Sequence, residues 1–149
     1  PLNEISSYIS VKKSKSFHRI LQKEEILITA DTVVICENRV LGKPSDLDDA
    51  KVMLSFLSGK THTVSTGVTI RSIDKIKTFA VTTQVSFREL TNEEIDYYVI
   101  NYSPMDKAGA YGAQDWIGFI SIERIEGSYF NVMGFPVHTF YSELENFIS

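Results

Sequence analysis

The sequence predicts a single α/β domain in which a mixed, twisted sheet is flanked by helices. A nearly continuous apolar run at 26–36 is typical of a buried strand, and strict alternation at 79–87 is typical of a strand with one buried face. Helical spacing appears at 45–57 and again after Pro136. Because strands and helices alternate irregularly and include at least one hairpin, we expect a mixed sheet rather than a strict βαβ array.

The size and charge of the chain limit the classes of function. Its 149 residues fit one domain, 1–149, and its longest apolar runs are far shorter than the roughly 20 residues of a membrane span. A net charge of −4 argues against a broad nucleic-acid interface, but a few lysines with a metal can still hold a small anion. The lone Cys36 has no histidine at ligand-like spacing, so we interpret it as a core residue in a reducing, cytoplasmic setting.

The first half of the chain predicts a helix, a strand pair and a second helix. The helical pattern in the first twenty residues is weak, because serines dilute the face that carries Leu2, Ile5, Tyr8 and Ile9. Residues 26–36 are predicted as one strand, or as two strands bent near Asp31, with a short return strand at 40–41. The next helix begins at Ser45 and ends before Gly59, which is placed as a left-handed cap.

The second half predicts a strand pair at 62–70 and 79–87, followed by a helix with a capping box at Thr91 and Glu94. Residues 106–118 lack periodicity and are rich in glycine, so we expect an ordered loop. A strand is predicted at 119–122, a structural turn at 131–136 and a last helix from Pro136. His62 is interpreted as a loop histidine with satisfied hydrogen bonds rather than as a ligand.

Asp31 is the first candidate for chemistry, because it interrupts apolar strand residues. A carboxylate at such a position can act as a general base or hold a divalent metal, and Thr32 offers a hydroxyl beside it. From this segment alone, an aspartate that caps a turn explains the pattern equally well.

Two further segments could bind an anion. Lys43 stands between Gly42 and Pro44, just before the helix that begins at Ser45, although a lone lysine in a loop is more often a surface residue. Asp106 and Lys107 precede a run of small residues that ends at Gln114, whose amide could read the edge of a base. The alternative is a close-packed crossing loop in which Gln114 bonds to the backbone.

Taken together, several motifs in this order resemble the Maf family of nucleoside triphosphate pyrophosphatases. The resemblance runs from about residue 26 to the C-terminus. Its main motifs are Ala30-Asp31-Thr32-Val33-Val34, Leu41-Gly42-Lys43-Pro44, Leu57-Ser58-Gly59-Lys60-Thr61-His62, Thr66-Gly67-Val68, Pro104-Met105-Asp106-Lys107-Ala108-Gly109-Ala110-Tyr111-Gly112 with Gln114, Ile125-Glu126-Gly127-Ser128-Tyr129 and Gly134-Phe135-Pro136.

The resemblance implies a fold like that of inosine triphosphatase and metal-dependent hydrolysis of a nucleoside triphosphate to monophosphate and pyrophosphate. Asp31 matches the family's proposed general base and could hold the divalent cation (Mg²⁺, Mn²⁺ or Co²⁺), with Asp106 near the phosphates. Lys43 and Lys107 would neutralise the phosphates, and Thr32 and Gln114 match positions tied to base choice. The motifs are similar to the branch that acts on dTTP, UTP and modified pyrimidine nucleotides, rather than to the 7-methyl-GTP branch.

The N-terminus departs from the family pattern. Nothing in it matches the family's Ser-x-Ser-Pro-Arg-Arg loop, whose arginines bind phosphate, or the glutamate that follows that loop. We therefore expect the domain to be truncated at its N-terminus relative to the family, and turnover by this chain alone to be impaired.

Two other functions stay open at this point. One is a non-catalytic nucleotide-binding regulator linked to cell division, and the other is a nucleic-acid-binding domain on a similar scaffold, against which the net acidity counts. The expected partner is a nucleoside triphosphate, without a membrane, and a homodimer is an assembly that the resemblance leaves open.

Overall fold

The computed structural model describes all 149 residues, from Pro1 to Ser149. Two short 3₁₀ turns, Leu2–Glu4 and Ala108–Ala110, accompany the regular elements. Those elements are α1 (Ile5–Lys15), β1 (Leu27–Cys36), β2 (Arg39–Leu41), α2 (Leu47–Leu57), β3 (Thr61–Arg71), β4 (Ile76–Phe87), α3 (Asn92–Tyr102), α4 (Trp116–Ser121), β5 (Ile122–Glu126), α5 (Tyr129–Met133) and α6 (Val137–Ile148).

The five strands form one sheet in the order β2-β1-β3-β4-β5, and helices flank it, which confirms the predicted α/β domain. The expectation of mixed strand pairing was wrong, because all four pairs are antiparallel. Since β2 has only three residues, the chain stays near the carboxyl end of β1. The next strand, β3, therefore begins there and runs back along β1.

The two faces of the sheet are packed differently. On one face, Val34, Val64 and Val85 join side chains of α2 and α3 in the main hydrophobic core. On the same face of β3, Val68 and Ile70 pack against Phe147 of α6 in a smaller cluster. The opposite face is covered by α1.

The packing of α1 reverses the predicted face. Its buried residues are Ser6, Ser10 and Ser14, while Tyr8 is 70% exposed. The sheet surface beneath α1 is polar, so serine hydroxyls bond to it: Ser10 Oγ lies 2.8 Å from Thr69 Oγ1. A side chain at Gly67 would collide with the backbone of Ser6, which shows how closely the helix crosses β3.

Most predicted helix ends are confirmed. Thr91 and Glu94 form the reciprocal capping box of α3, and Gly59 follows α2 with a φ of 70°. The N-cap of α2 is Asp46 rather than Ser45, because the Asp46 carboxylate accepts from the backbone N–H of Asp49 at 2.7 Å.

The strand predicted at 119–122 was wrong over most of its length. Residues 116–121 form α4, and β5 begins only at Ile122. A short apolar run is compatible with either a buried helix or a strand, and here Ile117 and Gly118 are buried in helical geometry. No helix in the structure has the length and apolar character that crossing a membrane requires.

Candidate active site

A cavity of about 320 Å³ lies beside β1 and collects the residues that the sequence singled out. The loop after α3, the turn after β2 and the end of α5 contribute its other walls. Six predicted site residues line it: Asp31, Thr32, Lys43, Asp106, Lys107 and Gln114. The structure therefore brings together segments that are separated by more than eighty residues in the chain.

The open edge of β1 lets both faces of the strand reach the cavity. The short β2 pairs only with residues 34–36, so Leu27–Val33 has no strand partner on that side. Asp31 opposes Gly67 and lies on the face covered by α1, whereas Thr32 opposes Thr66 on the core face. Consecutive residues thus present a carboxylate and a hydroxyl from opposite sides of the same edge.

Asp31 is held by a lysine that sequence reasoning missed. Lys13 of α1 donates to Asp31 Oδ1 at 2.8 Å and to the Ala30 carbonyl at 3.0 Å. The Asp31 side chain is 19% exposed, and its Oδ2 makes no hydrogen bond within the protein. The signal was the serine stripe, since Lys13 lies three residues after Ser10 and so borders the face that meets the sheet.

The turn that carries Lys43 is fastened to the loop that carries Lys107. The backbone N–H of Gly109 donates to the Gly42 carbonyl at 3.1 Å. The pKa of the Asp106 carboxyl lies below its ordinary value, first because of a hydrogen bond from its own backbone N–H and then because of Lys107, with a smaller contribution from Lys43. Both ammonium groups therefore lie near the same carboxylate and line the same cavity.

The small residues of this loop serve close packing as well as lining the cavity. Gly109 has a φ of 71°, and a Cβ there would lie 2.9 Å from Cγ2 of Val34 in β1. The crossing-loop alternative is thus correct for Gly109. Gln114 differs from that alternative, because its exposed side-chain amide forms no hydrogen bond within the protein and lines the cavity.

Two tyrosine hydroxyls anchor the loop from below. Tyr98 of α3 donates to Asp115 Oδ2 at 2.9 Å and accepts from the backbone N–H of Gly112 at 3.2 Å. Tyr111 forms a 2.6 Å hydrogen bond with His62 Nε2. Burial and the neighbouring Asp115 carboxylate raise the pKa of Tyr98, and burial raises that of Tyr111, so both hydroxyls stay protonated.

His62 is a core residue rather than the loop histidine that the sequence suggested. It belongs to β3 and is 1% exposed, and this burial lowers its pKa to about 4. The available signal was its alternation with Val64 and Thr66, which places all three side chains on one face of the strand.

The predicted turn at 131–136 begins inside α5, and a buried side chain fastens this segment to the sheet. Asn131 Nδ2 lies 3.2 Å from the Val64 carbonyl and 3.1 Å from the Val81 carbonyl. This anchor brings the Gly134 carbonyl within 3.5 Å of the Thr32 hydroxyl, which also lies 2.9 Å from Thr66 Oγ1.

The carboxylates of the cavity fit a metal that arrives with phosphates better than a preformed metal cage. No group of three or more histidine, cysteine, aspartate or glutamate side chains is placed to hold an ion. Asp31 and Asp106 line the same cavity, and Mg²⁺ is commonly bound by one or two carboxylates together with substrate phosphates. The donor set is thus suited to a shared divalent cation.

Comparison with known proteins identifies relatives over nearly the whole chain. A family model described as Maf-like protein matches residues 2–147. A protein of Phocaeicola vulgatus named dTTP/UTP pyrophosphatase is 51% identical over 142 residues, which cover 95% of this chain and 74% of that protein. Proteins with the same name from Porphyromonas gingivalis and Christiangramia forsetii are 47% and 49% identical over 146 residues, covering 97% and 98% of this chain and 73% and 74% of theirs.

Proposed function

This chain belongs to the Maf family, and we propose that it hydrolyses dTTP and UTP to the monophosphate and pyrophosphate. The observation that carries the proposal is the convergence of Asp31, Lys13, Lys43 and Lys107 on one cavity. The names of the relatives from three organisms support the reaction and the pyrimidine substrates.

Asp31 is proposed as the catalytic residue that prepares the attacking water. Its Oδ2 has no protein partner, so it is free to accept a proton from a water molecule in the cavity. The Lys13 ammonium group at Oδ1 fixes the orientation of the carboxylate. Because Lys13 also bonds to the Ala30 carbonyl, the carboxylate and its partner are tied to the same strand edge.

The lysines are proposed to bind the triphosphate. Lys43 and Lys107 act on a common region next to Asp106, where they can neutralise the charge that develops on the leaving pyrophosphate. A divalent cation held by Asp31, and near Asp106, would polarise the phosphoryl oxygen and help to deprotonate the water. Mg²⁺, Mn²⁺ and Co²⁺ are the candidates.

The base is proposed to lie against Thr32 and Gln114. The free amide of Gln114 offers two donors and one acceptor, which complement the imide edge that thymine and uracil share. The Thr32 hydroxyl is oriented by Thr66 and lies beside the Gly134 carbonyl, so it adds a fixed polar contact. Modified pyrimidines with the same imide edge would also be substrates.

The cellular location and the assembly of the enzyme are also part of the proposal. The buried, unpaired Cys36 fits a reducing cytoplasm. A homodimer stays a prediction, which sedimentation of the purified protein would test. The matches cover 73 to 74% of the length of these relatives, and comparing turnover by this chain with turnover by one of them would measure the effect of that difference.

The function is tested by a turnover screen of the 149-residue chain. We expect pyrophosphate release from dTTP and UTP, with lower rates for CTP, ATP and GTP, and dependence on Mg²⁺, Mn²⁺ or Co²⁺. A fluorescent UTP analogue, titrated with and without the metal, measures binding separately. If the analogue binds equally tightly with and without the metal, and no pyrophosphate is released over hours, the nucleotide-binding regulator would be favoured instead.

A further inference from the structure

His62 is a buried, titratable side chain that lies directly behind the cavity without lining it. It is 1% exposed, and its Nε2 lies 2.6 Å from the hydroxyl of Tyr111, which does line the cavity. Its other ring nitrogen, Nδ1, has no hydrogen-bond partner. A buried polar atom without a partner is costly, so the bond from Nε2 to Tyr111 is the one hydrogen bond that offsets the burial of this ring.

Three rings hold this hydrogen bond in place. The His62 and Phe87 rings meet edge to face with centroids 4.9 Å apart, and the Phe87 and Tyr111 rings do so at the same separation. The His62 and Tyr111 rings are 5.4 Å apart at 79°. Such mutual edge-to-face contacts restrict every ring in the group, so the position of the Tyr111 hydroxyl is set by the core.

Tyr111 links this buried group to the two proposed substrate contacts of the loop. It lies four residues after Lys107 and three before Gln114, and its side chain is 5% exposed. The other anchor, the Tyr98 hydroxyl, bonds to Gly112 and Asp115. Without the bond to His62, the segment from Lys107 to Tyr111 would be held by packing, by the Gly109–Gly42 backbone bond and by the Tyr98 contacts that follow it.

We propose that His62 is a positioning residue, which acts through the Tyr111 hydroxyl to hold Lys107 and Gln114 in the geometry that binds the nucleotide. This inference rests on the proposed hydrolysis of dTTP and UTP. Small displacements of groups that position a substrate can lower rates greatly, even when the displaced residue never touches the reacting atoms.

A double-mutant cycle tests the coupling. Tyr111→Phe removes only the hydroxyl, and His62→Phe keeps a ring of similar shape without its nitrogens. Each single variant should lower kcat/KM for UTP by about tenfold, chiefly through KM, and the double variant should lie within about threefold of either single one, because both break the same bond. His62→Gln, whose amide can still reach the hydroxyl, should recover part of the loss.

The control is Ile70→Val, which removes one methylene group from β3 in the smaller core cluster, away from the cavity. It should lower stability but leave kcat and KM for UTP unchanged. If the His62 and Tyr111 variants lower only the melting temperature, as this control does, the pair is merely structural and the inference is wrong. If the two losses in kcat/KM multiply in the double variant, the two residues act independently, and this result would also contradict the inference.

A readout that does not need turnover keeps the inference separate from the proposed reaction. Nitrogen-15 spectra of the wild-type protein report the tautomer of the His62 ring. We then add a dUTP analogue with an NH bridge between its α and β phosphates. It should shift the His62 ring signals, because it binds to Lys107 and Gln114 in the loop that Tyr111 anchors. Tight binding of the analogue with unchanged His62 signals would overturn the inference, even if the chain hydrolyses no nucleotide.

Discussion

The two faces of β1 contribute residues to the cavity, and those residues are held in place differently on each face. On the face toward α1, Asp31 is held by a solvent-accessible lysine, Lys13, whose side chain is 49% exposed. On the core face, Val34 packs under a loop that is fastened by the buried Tyr111 and its hydrogen bond to His62, and Thr32 lies beside the Gly134 carbonyl. The first face is charged and accessible to solvent, whereas the second face is buried and closely packed.

The two faces of β1 therefore have different proposed roles: one carries the catalytic carboxylate, and the other supports the loop that recognises the base. Because the Lys13 side chain is 49% exposed, its ion pair with Asp31 adds little to stability, so its main contribution is to orient the catalytic carboxylate. A buried, close-packed loop cannot move without disturbing the core, so it is suited to discriminating among bases. Variants on the α1 face should therefore change turnover more than stability, and core-face variants should change both stability and selectivity.

The largest effect is expected from Lys13→Met. Removing this ammonium group leaves Asp31 without its orienting partner and removes a positive charge from the cavity, so kcat/KM for UTP should fall by roughly 10²- to 10³-fold. The melting temperature should change little, because the Lys13 side chain is half exposed and water can solvate the Asp31 carboxylate from the cavity. Lys12→Met, on the neighbouring exposed lysine, is the control and should behave as wild type in steady-state assays. Equal losses from both variants would show a general charge effect.

The next effect is a loss of stability at acid pH, caused by the buried His62 on the core face. Burial places the native pKa of His62 at about 4, below the ordinary value of 6.5, so the unfolded chain binds the proton more readily. The contribution of neutral His62 to the stability of the fold is therefore complete above pH 6.5. The free energy of unfolding falls by about 2 to 3 kcal/mol as the pH drops from 6.5 toward 4. Urea unfolding at several pH values should show a flatter profile for His62→Phe, and parallel profiles would contradict this assignment.

A smaller effect is expected from Gly109→Ala. The added Cβ would lie 2.9 Å from Val34 Cγ2 on a backbone with a φ of 71°, so the free energy of unfolding should fall by about 2 kcal/mol. Gly42→Ala is the matched control, because no atom lies within 4 Å of its added Cβ. Chemical denaturation should show a clear loss for the first variant only. A stable Gly109→Ala protein would mean that the loop does not pack closely on β1.

The smallest effect is expected from Gln114→Ala. Its side chain is exposed and forms no hydrogen bond within the protein, so stability should be unchanged. The loss of contacts to the imide edge should lower kcat/KM for dTTP and UTP by about tenfold, with less change for purine triphosphates. A uniform decrease for all bases would assign Gln114 to support of the loop instead of base recognition.

The strongest parts of the sequence prediction were the elements with a clear period and the motifs at their ends. The α3 capping box and the glycine after α2 have local signals, because each depends on a few adjacent residues. Six residues of the cavity were named from the sequence, since glycines and charges interrupt otherwise apolar patterns there, whereas the apolar lining from Val34 and Val64 was not. The roles of the six residues stay predictions.

The errors came from features that only tertiary packing decides. The inner face of α1 is polar because it meets Ser65, Gly67 and Thr69, so its serine stripe could be interpreted only once the surface beneath the helix was known. Lys13 was missed for the same reason, as its role follows from the serine face beside it. The segment 116–121 is too short for its period to separate helix from strand.

The most direct test of the account is pyrophosphate release from UTP by Asp31→Asn, with Asp74→Asn in the turn between β3 and β4 as the control. We expect Asp31→Asn to lose at least about 10²-fold in kcat, while nucleotide binding persists and the control turns over as the wild type does. Turnover by Asp31→Asn at the wild-type rate would contradict the assignment of Asp31 as the catalytic residue.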